Sequence, residues 1–262
     1  MKKHPSFDSA APTYDENFSD SMIGMLQRKR VYYWIEEAEI LNRTTKIFEV
    51  NCGTGLDADI MLKNRRSVVA TDASAEMIKV AKSIRNEKID FYQRKFSDIS
   101  IDDNVEEADL VFSNFGGLNC ISEADLDVFF KALSKKQKKG ASVAIVLMPK
   151  YCIVEDIYLI LKGKFSQVLR RSRKDFLEVD VAGEKIRTFY HSPKTVKALL
   201  QKQYNIKLVK PIAHFLPPSY LEPFFKRNRW MLTYLNFMER TFGGLSFLAS
   251  NADHFIIIAE RK

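Results

Sequence analysis

The chain has 262 residues, 46% of them hydrophobic and 28% charged, a balance that suits one large folded domain. Its longest uninterrupted apolar run, VAIVLM at 143–148, falls far short of the ~20 residues of a membrane span. The net charge of +8 is scattered, with no run denser than KKQKK (135–139) or RRSRK (170–174), so it reads as solvated surface rather than a nucleic-acid footprint.

The opening MKKHPSFDSA has basic residues without an apolar stretch behind them and is not expected to be a signal peptide. Residues 7–42 are polar and aromatic, then helical, with MIGMLQRKRVYYWIEEAEIL spacing its apolar side chains at three and four. KIFEV and SVVATD are short β-branched runs, the kind that form strands buried on both faces. The helix SAEMIKVAKSIR follows, then the strands IDFYQRKF and ADLVFSNF, the helix DLDVFFKALSKKQ and the strand ASVAIVLM. Strands alternating with helices of this length predict a doubly wound α/β domain with a mostly parallel sheet.

The alternation pauses at 151–190. CIVEDIYLILKGKF reads as a helix, and FLEVDVAGEKIRTFY, with its central Ala-Gly, as a β-hairpin. SPKTVKALLQKQ restarts the pattern, with Ser192 as N-cap and Pro193 as first helical residue. NIKLVKPIAHF is a sixth strand, a long helix is expected from about 220 to 241, and ADHFIIIAERK is a seventh strand. Nothing divides the chain, so residues 1–262 are read as a single domain.

The most informative segment is FEVNCGTGLDA, 48–58, a strand running into a glycine turn that opens a helix. Such a turn, at the switch point of a doubly wound sheet, is where a nucleotide-like ligand binds. Asn51 stands where these turns often carry their first glycine, and Asn is the residue next most tolerant of left-handed backbone. Gly53 through Ala58 satisfy GxGxxA, and Asp72 could hold a ribose, as in dinucleotide enzymes. A dinucleotide, however, puts its pyrophosphate on the helix N-terminus, where Asp57 and Asp59 would repel it. S-adenosylmethionine has no phosphate and carries a sulfonium cation, which nearby carboxylates favour.

With these residues in place, the sequence resembles the class I S-adenosylmethionine-dependent methyltransferases, from about Phe7 to the C-terminus and most firmly over 46–120. EVNCGTG looks like their first motif: Glu49, Gly53 and Gly55 match, while Asn51 departs. The resemblance implies that the methionine moiety lies over the turn at Asn51, Cys52 and Gly53, and that Asp72 takes the ribose hydroxyls. It further implies that Ala73 and Met77 flank the adenine, that Asp98 and Ile99 read its amino edge, and that Asn114, Phe115 and Gly116 line the transfer region. FDSAAPTYDENF is similar to an N-terminal lid whose tyrosine, Tyr14, closes over the cofactor, making 1–43 a helical lid and 151–190 a substrate-side insertion after strand 5. The resemblance also implies that the last strand runs antiparallel within a seven-stranded sheet.

For the methyl acceptor, SNFGGLN lacks the prolines with which nucleic-acid amino-methyltransferases of this family hold a planar amine, and no Pro-Cys pair is present. The expectation is therefore a small, apolar or aromatic metabolite, with nucleic acid disfavoured. His191 and His214 are the candidate bases; His4 and His254 look less useful. No His and carboxylate cluster has metal-ligand spacing, so no metal is expected. The widely separated Cys52, Cys120 and Cys152 suit a reducing cytoplasm. The basic, aromatic late helix (Lys226, Arg227, Arg229, Trp230) leaves peripheral contact with an anionic membrane open. The rival functions are an RNA or tRNA methyltransferase, a nicotinamide-dependent oxidoreductase and a non-catalytic cofactor-binding protein.

Overall fold

The computed structural model describes residues 7–63 and 66–262, so His4 and the first six residues of the expected lid lie outside it. The lid segment forms a 3-10 turn at Asp8–Thr13 and a π turn at Asp15–Ser19, a helical path tightened around Pro12. Helix α1 (Met22–Glu37) starts where Ser21 accepts a hydrogen bond from the Gly24 N–H, and it ends before the expected boundary because Glu39 turns left-handed at φ +54°. Strand β1 (Lys46–Val50) leads into α2 (Leu56–Met61), β2 (Ser67–Asp72) into α3 (Ala75–Ile84) and β3 (Asp90–Gln93) into the short turn α4 (Asn104–Glu107). After β4 (Leu110–Ser113), α5 (Glu123–Lys136) opens on a capping box between Ser122 and Asp125, and β5 (Ser142–Leu147) follows.

The insertion comprises α6 (Ile153–Leu161), α7 (Arg170–Arg173) and the hairpin β6 (Leu177–Val181) to β7 (Glu184–Thr188). The hairpin turns on Ala182 and Gly183, both at positive φ, as the sequence led us to expect. Helix α8 (Pro193–Leu200) is capped by Ser192, and β8 (Tyr204–Ile212) follows. The single long helix expected at about 220–241 is two: α9 (Glu222–Arg227) and α10 (Arg229–Phe242). They break at Asn228, which leaves helical geometry (φ −126°, ψ 54°) and donates its side-chain amide to the Phe224 carbonyl at 2.9 Å. Strand β9 (His254–Arg261) closes the chain.

The seven-stranded sheet has the order β3-β2-β1-β4-β5-β9-β8. Strands β1 to β5 pair in parallel, and β9 runs antiparallel between β5 and β8. Adjacent residues send their side chains to opposite faces. Ile47, Phe112 and Ala144 meet α1, α2 and α3 on one side, whereas Phe48, Val111 and Val143 meet α5 and α8 on the other. Both faces are thus covered, which explains the near-continuous apolar strands. Strand order reverses between β1 and β4, so the turns after these two strands border one crevice. Among the described residues no helix is long and apolar enough to cross a membrane.

Candidate active site

The turn after β1 is built for close approach. Asn51 sits at φ +54°, the left-handed conformation the sequence suggested, and its amide holds the neighbouring turn. Nδ2 donates to the Asn114 carbonyl at 2.9 Å, and Oδ1 accepts from the Ser113 hydroxyl at 2.6 Å. A glycine could tolerate the backbone here but could not make this clamp. Gly117 must in turn lack a side chain, since a Cβ would lie 2.2 Å from Asn51 Cγ. Beside the clamp Phe115 is held at φ +42°, a rare conformation for an aromatic residue that marks stored strain.

Under the turn is a buried acid cluster. Asp57, on the first turn of α2, accepts from Arg28 Nε, the Tyr32 hydroxyl and Asn114 Nδ2, each at 2.9 Å. Burial works against the Arg28 charge, but Asp57 more than offsets it and raises the Arg28 pKa. Asp57 is therefore neutralised by an ion pair, which weakens the repulsion the sequence assigned to it. Glu49, on β1, is also buried, and its Oε2 has no partner among the described residues. Burial first, then the Asp57 charge, push its carboxyl well above the usual range.

Asp72 ends β2 with both carboxylate oxygens engaged: Oδ2 accepts from the Gly53 N–H at 2.9 Å and Oδ1 from the Ser74 N–H at 2.8 Å. Burial raises its pKa, and these N–H groups counter part of the rise. The lid is latched across the same region. Asp8 accepts from the Ser74 hydroxyl at 2.6 Å, and Asp15 pairs with Arg85 and Thr54. Burial lifts the Tyr14 phenol to about 12. Its ring stacks toward Phe18 with centroids 5.1 Å apart.

These elements line a cavity of about 940 Å³. The scaffold reads as that of a methyl-transferring enzyme, and residues 47–140 match the family model described as "Methyltransferase domain". The chain carries a methyltransferase domain over these residues. An uncharacterized protein of Methanocaldococcus jannaschii is 23% identical over 230 residues, covering 83% of this methyltransferase and 85% of that protein. The structure of an S-adenosylmethionine-dependent methyltransferase from Clostridium acetobutylicum shares the fold with a TM-score of 0.57, at 14% identity over 89% of this chain and 91% of that one. So does the structure of the DhpI–SAH complex, with a TM-score of 0.54 and 13% identity over 97% of this chain and 93% of that one.

Of the residues expected at the cofactor, Tyr14, Glu49, Asn51, Cys52, Gly53, Asp72, Ala73 and Met77 line the cavity, as do Asn114, Phe115 and Gly116. Three do not line it. Gly55 faces inward, where an added Cβ would lie 2.7 Å from the Phe91 ring. Asp98 accepts from the Lys95 N–H and the Ser97 hydroxyl, capping a 3-10 turn, and Ile99 is buried in the core. Sequence reasoning missed Arg28 and Phe96 at the cavity; the aromatic Phe96, closing IDFYQRKF, was the available signal.

His191 and His214 are buried outside the cavity lining. Burial lowers the His191 imidazole from the usual 6.5 to about 4. The histidine that lines the cavity is His254, set aside at the sequence level because it starts a strand. Its Nδ1 lies 3.2 Å from Asp253 Oδ2, and its ring stands edge-on to Phe115 with centroids 5.4 Å apart. Asp253 also accepts from Arg171 Nη2 at 2.7 Å and Gln27 Nε2 at 3.1 Å. Burial alone would raise the Asp253 pKa, but His254 and the Arg171 guanidinium hold it well below the usual range. Arg171 reaches on to Glu155 at 2.7 Å, and Glu155 accepts from the Tyr220 hydroxyl at 2.9 Å. All of these residues line the cavity, giving it one charged and hydrogen-bonded wall.

Cys120 lines the cavity but burial pushes its thiol up to about 11, so it stays protonated. Among the described residues no group of His, Cys, Asp and Glu side chains could hold a metal ion.

Proposed function

We propose that this methyltransferase methylates a small metabolite with an ionisable hydroxyl or amine, and that His254 accepts the proton the acceptor gives up. The observation that carries this reading is the Arg171–Asp253–His254 chain on a wall of the same cavity that holds the glycine turn. S-adenosylmethionine supplies a methyl group on a sulfonium cation. The residues present fit it. Each Asp72 oxygen accepts one N–H and keeps a lone pair for a ribose hydroxyl. Gly53 leaves room beneath the Tyr14 ring, where a Cβ would lie 3.5 Å from Cε1. Ala73, Met77 and Phe96 offer an apolar seat for the adenine. Asp98 and Ile99 receive no role, because neither lines the cavity.

Asp253 stays ionised and, 3.2 Å from Nδ1, stabilises the imidazolium that forms when Nε2 takes a proton. Lid and insertion exclude water, so positioning and desolvation supply most of the rate. Val179, Val181 and Ile186 of the hairpin line the roof beside Glu178, Lys185 and Arg187, and the far wall demands a polar group. The acceptor is therefore part apolar and part polar rather than wholly apolar. A cavity of about 940 Å³ under a hairpin roof suits a small molecule better than a nucleic-acid strand. Three unpaired cysteines fit a reducing cytoplasm.

The test uses the purified protein with methyl-tritiated S-adenosylmethionine, offered a cellular small-molecule extract and, separately, total RNA. Label should enter low-mass products. His254→Asn should bind S-adenosylhomocysteine like the wild type in calorimetry yet transfer about 100-fold more slowly or worse. Label appearing only in RNase-sensitive material would overturn the acceptor class, and an unchanged His254→Asn rate would remove the base.

A further inference from the structure

We infer that the outer face of α10 docks the enzyme on an anionic membrane surface. Trp230, Tyr234 and Phe237 recur at helical spacing along α10 and are 73%, 59% and 59% exposed. Three large aromatic side chains in one row are not left to water by chance. At 100° per residue, Arg229 and Arg240 fall together along one border of this row, and both are exposed.

The acids of the segment point the other way. Between 219 and 247 the sequence holds only two, Glu222 and Glu239, and both are buried. Glu222 accepts from the Met22 and Ile23 N–H groups, so it caps α1. Glu239 accepts from the N–H groups of Ala213 and Phe215. The segment thus spends its negative charge inward to fasten α9 and α10 to the body. Its cations, Lys226 and Arg227 on α9 with Arg229 and Arg240 on α10, all face outward. None of them forms an ion pair among the described residues.

An aromatic ridge bordered by unpaired cations and free of acids matches the headgroup region of a bilayer containing anionic lipid. Trp and Tyr are at home there, and each Lys or Arg gains from the negative surface potential. A neutral protein surface would leave four cations unanswered. Helix α10 does not insert across the bilayer; it is 14 residues long and lies with its inner face on the domain. The inference does not depend on which acceptor the enzyme methylates.

The experiment is co-sedimentation of the whole protein with phosphatidylcholine vesicles, with and without phosphatidylglycerol, at low and high salt. The protein should pellet with the anionic vesicles only, and salt should release it. Tryptophan emission should shift to the blue on binding, reporting Trp230, because the other tryptophan, Trp34, is already buried. A Trp230→Ser, Phe237→Ser double variant should stay in the supernatant while keeping wild-type affinity for S-adenosylhomocysteine. Arg229→Gln and Arg240→Gln should each weaken partitioning about fivefold. Wild-type protein that ignores anionic vesicles at low salt overturns the inference, and so does vesicle binding that survives the double variant. A self-association that the double variant abolishes, without vesicle binding, would make the face a contact between copies instead.

Discussion

Gly53 and Gly55 look equivalent in the fingerprint, but the structure separates them. Both hold left-handed backbone, at φ +55° and +77°, so replacing either by alanine costs about 1–2 kcal/mol of backbone strain. They differ in what the new methyl would meet. At Gly53 the nearest atom is Tyr14 Cε1 at 3.5 Å, an ordinary contact. At Gly55 the Phe91 ring lies at 2.7 Å and the Ala81 methyl at 3.3 Å, both in the packed layer between β3 and α3. Overpacking of that kind adds about 1–3 kcal/mol, for a total of about 2–5 kcal/mol. For a chain of this size each kcal/mol lowers Tm by about 2–4 °C. Gly55→Ala should therefore melt roughly 4–20 °C below the wild type, and Gly53→Ala roughly 2–8 °C below. Binding should follow the opposite order. Gly53→Ala intrudes on the cavity and should weaken S-adenosylhomocysteine in calorimetry, whereas folded Gly55→Ala should bind almost normally. A second substitution, Phe91→Leu, should recover part of the Gly55→Ala loss and none of the Gly53→Ala loss. Equal melting of the two variants, or the absence of that coupling, would refute the reasoning.

Glu49 binds its proton more tightly folded than unfolded, so the native state loses stability as pH rises through the ordinary carboxylate range toward the raised value. Glu49→Gln should accordingly raise Tm near about pH 7.5 and leave it unchanged near about pH 4; the same gain at both would rule out the buried acid as its source. His191 has the reverse sign. Its folded value is about 4 against 6.5 unfolded, so protons bind the unfolded chain first and stability drains away as pH falls through that window. His191→Leu should flatten this slope without changing the transfer rate, and a lost rate would return His191 to the active site. Arg171, buried between Glu155 and Asp253, should cost about 3–5 kcal/mol when replaced by Met, because buried Asp253 loses its arginine while Glu155 keeps only Arg170. Arg171→Lys should restore only part of that in urea melts, since one ammonium cannot span both partners; full restoration would mean the bidentate geometry is irrelevant.

Much of this molecule follows from local pattern. Alternating apolar strands and amphipathic helices specify the doubly wound sheet, because side chains two or about 3.6 residues apart share a face whatever the rest of the chain does. Ser21, Ser74, Ser122 and Ser192 mark helix starts for equally local reasons, each accepting a hydrogen bond from an N–H three residues on. Asn51 could be expected at positive φ from its own side chain alone, and Asp72 at the end of β2 from its position. What stayed hidden depends on residues that are distant in sequence and meet only when the strands cross. Gly55 is a packing glycine because Phe91 comes back against it from β3. Asp57 is a paired hub because α1 delivers Arg28 and Tyr32 while the β4 turn delivers Asn114. His254 resembled an ordinary strand residue until β9 slid beside β5 and brought it against Phe115, with Arg171 and Glu155 arriving from the insertion. Periodicity carries the direction of a side chain but not the identity of its neighbour. That neighbour is set by strand order and by loops long enough to cross the sheet, and in this enzyme those contacts are what turn a glycine turn into a charged pocket.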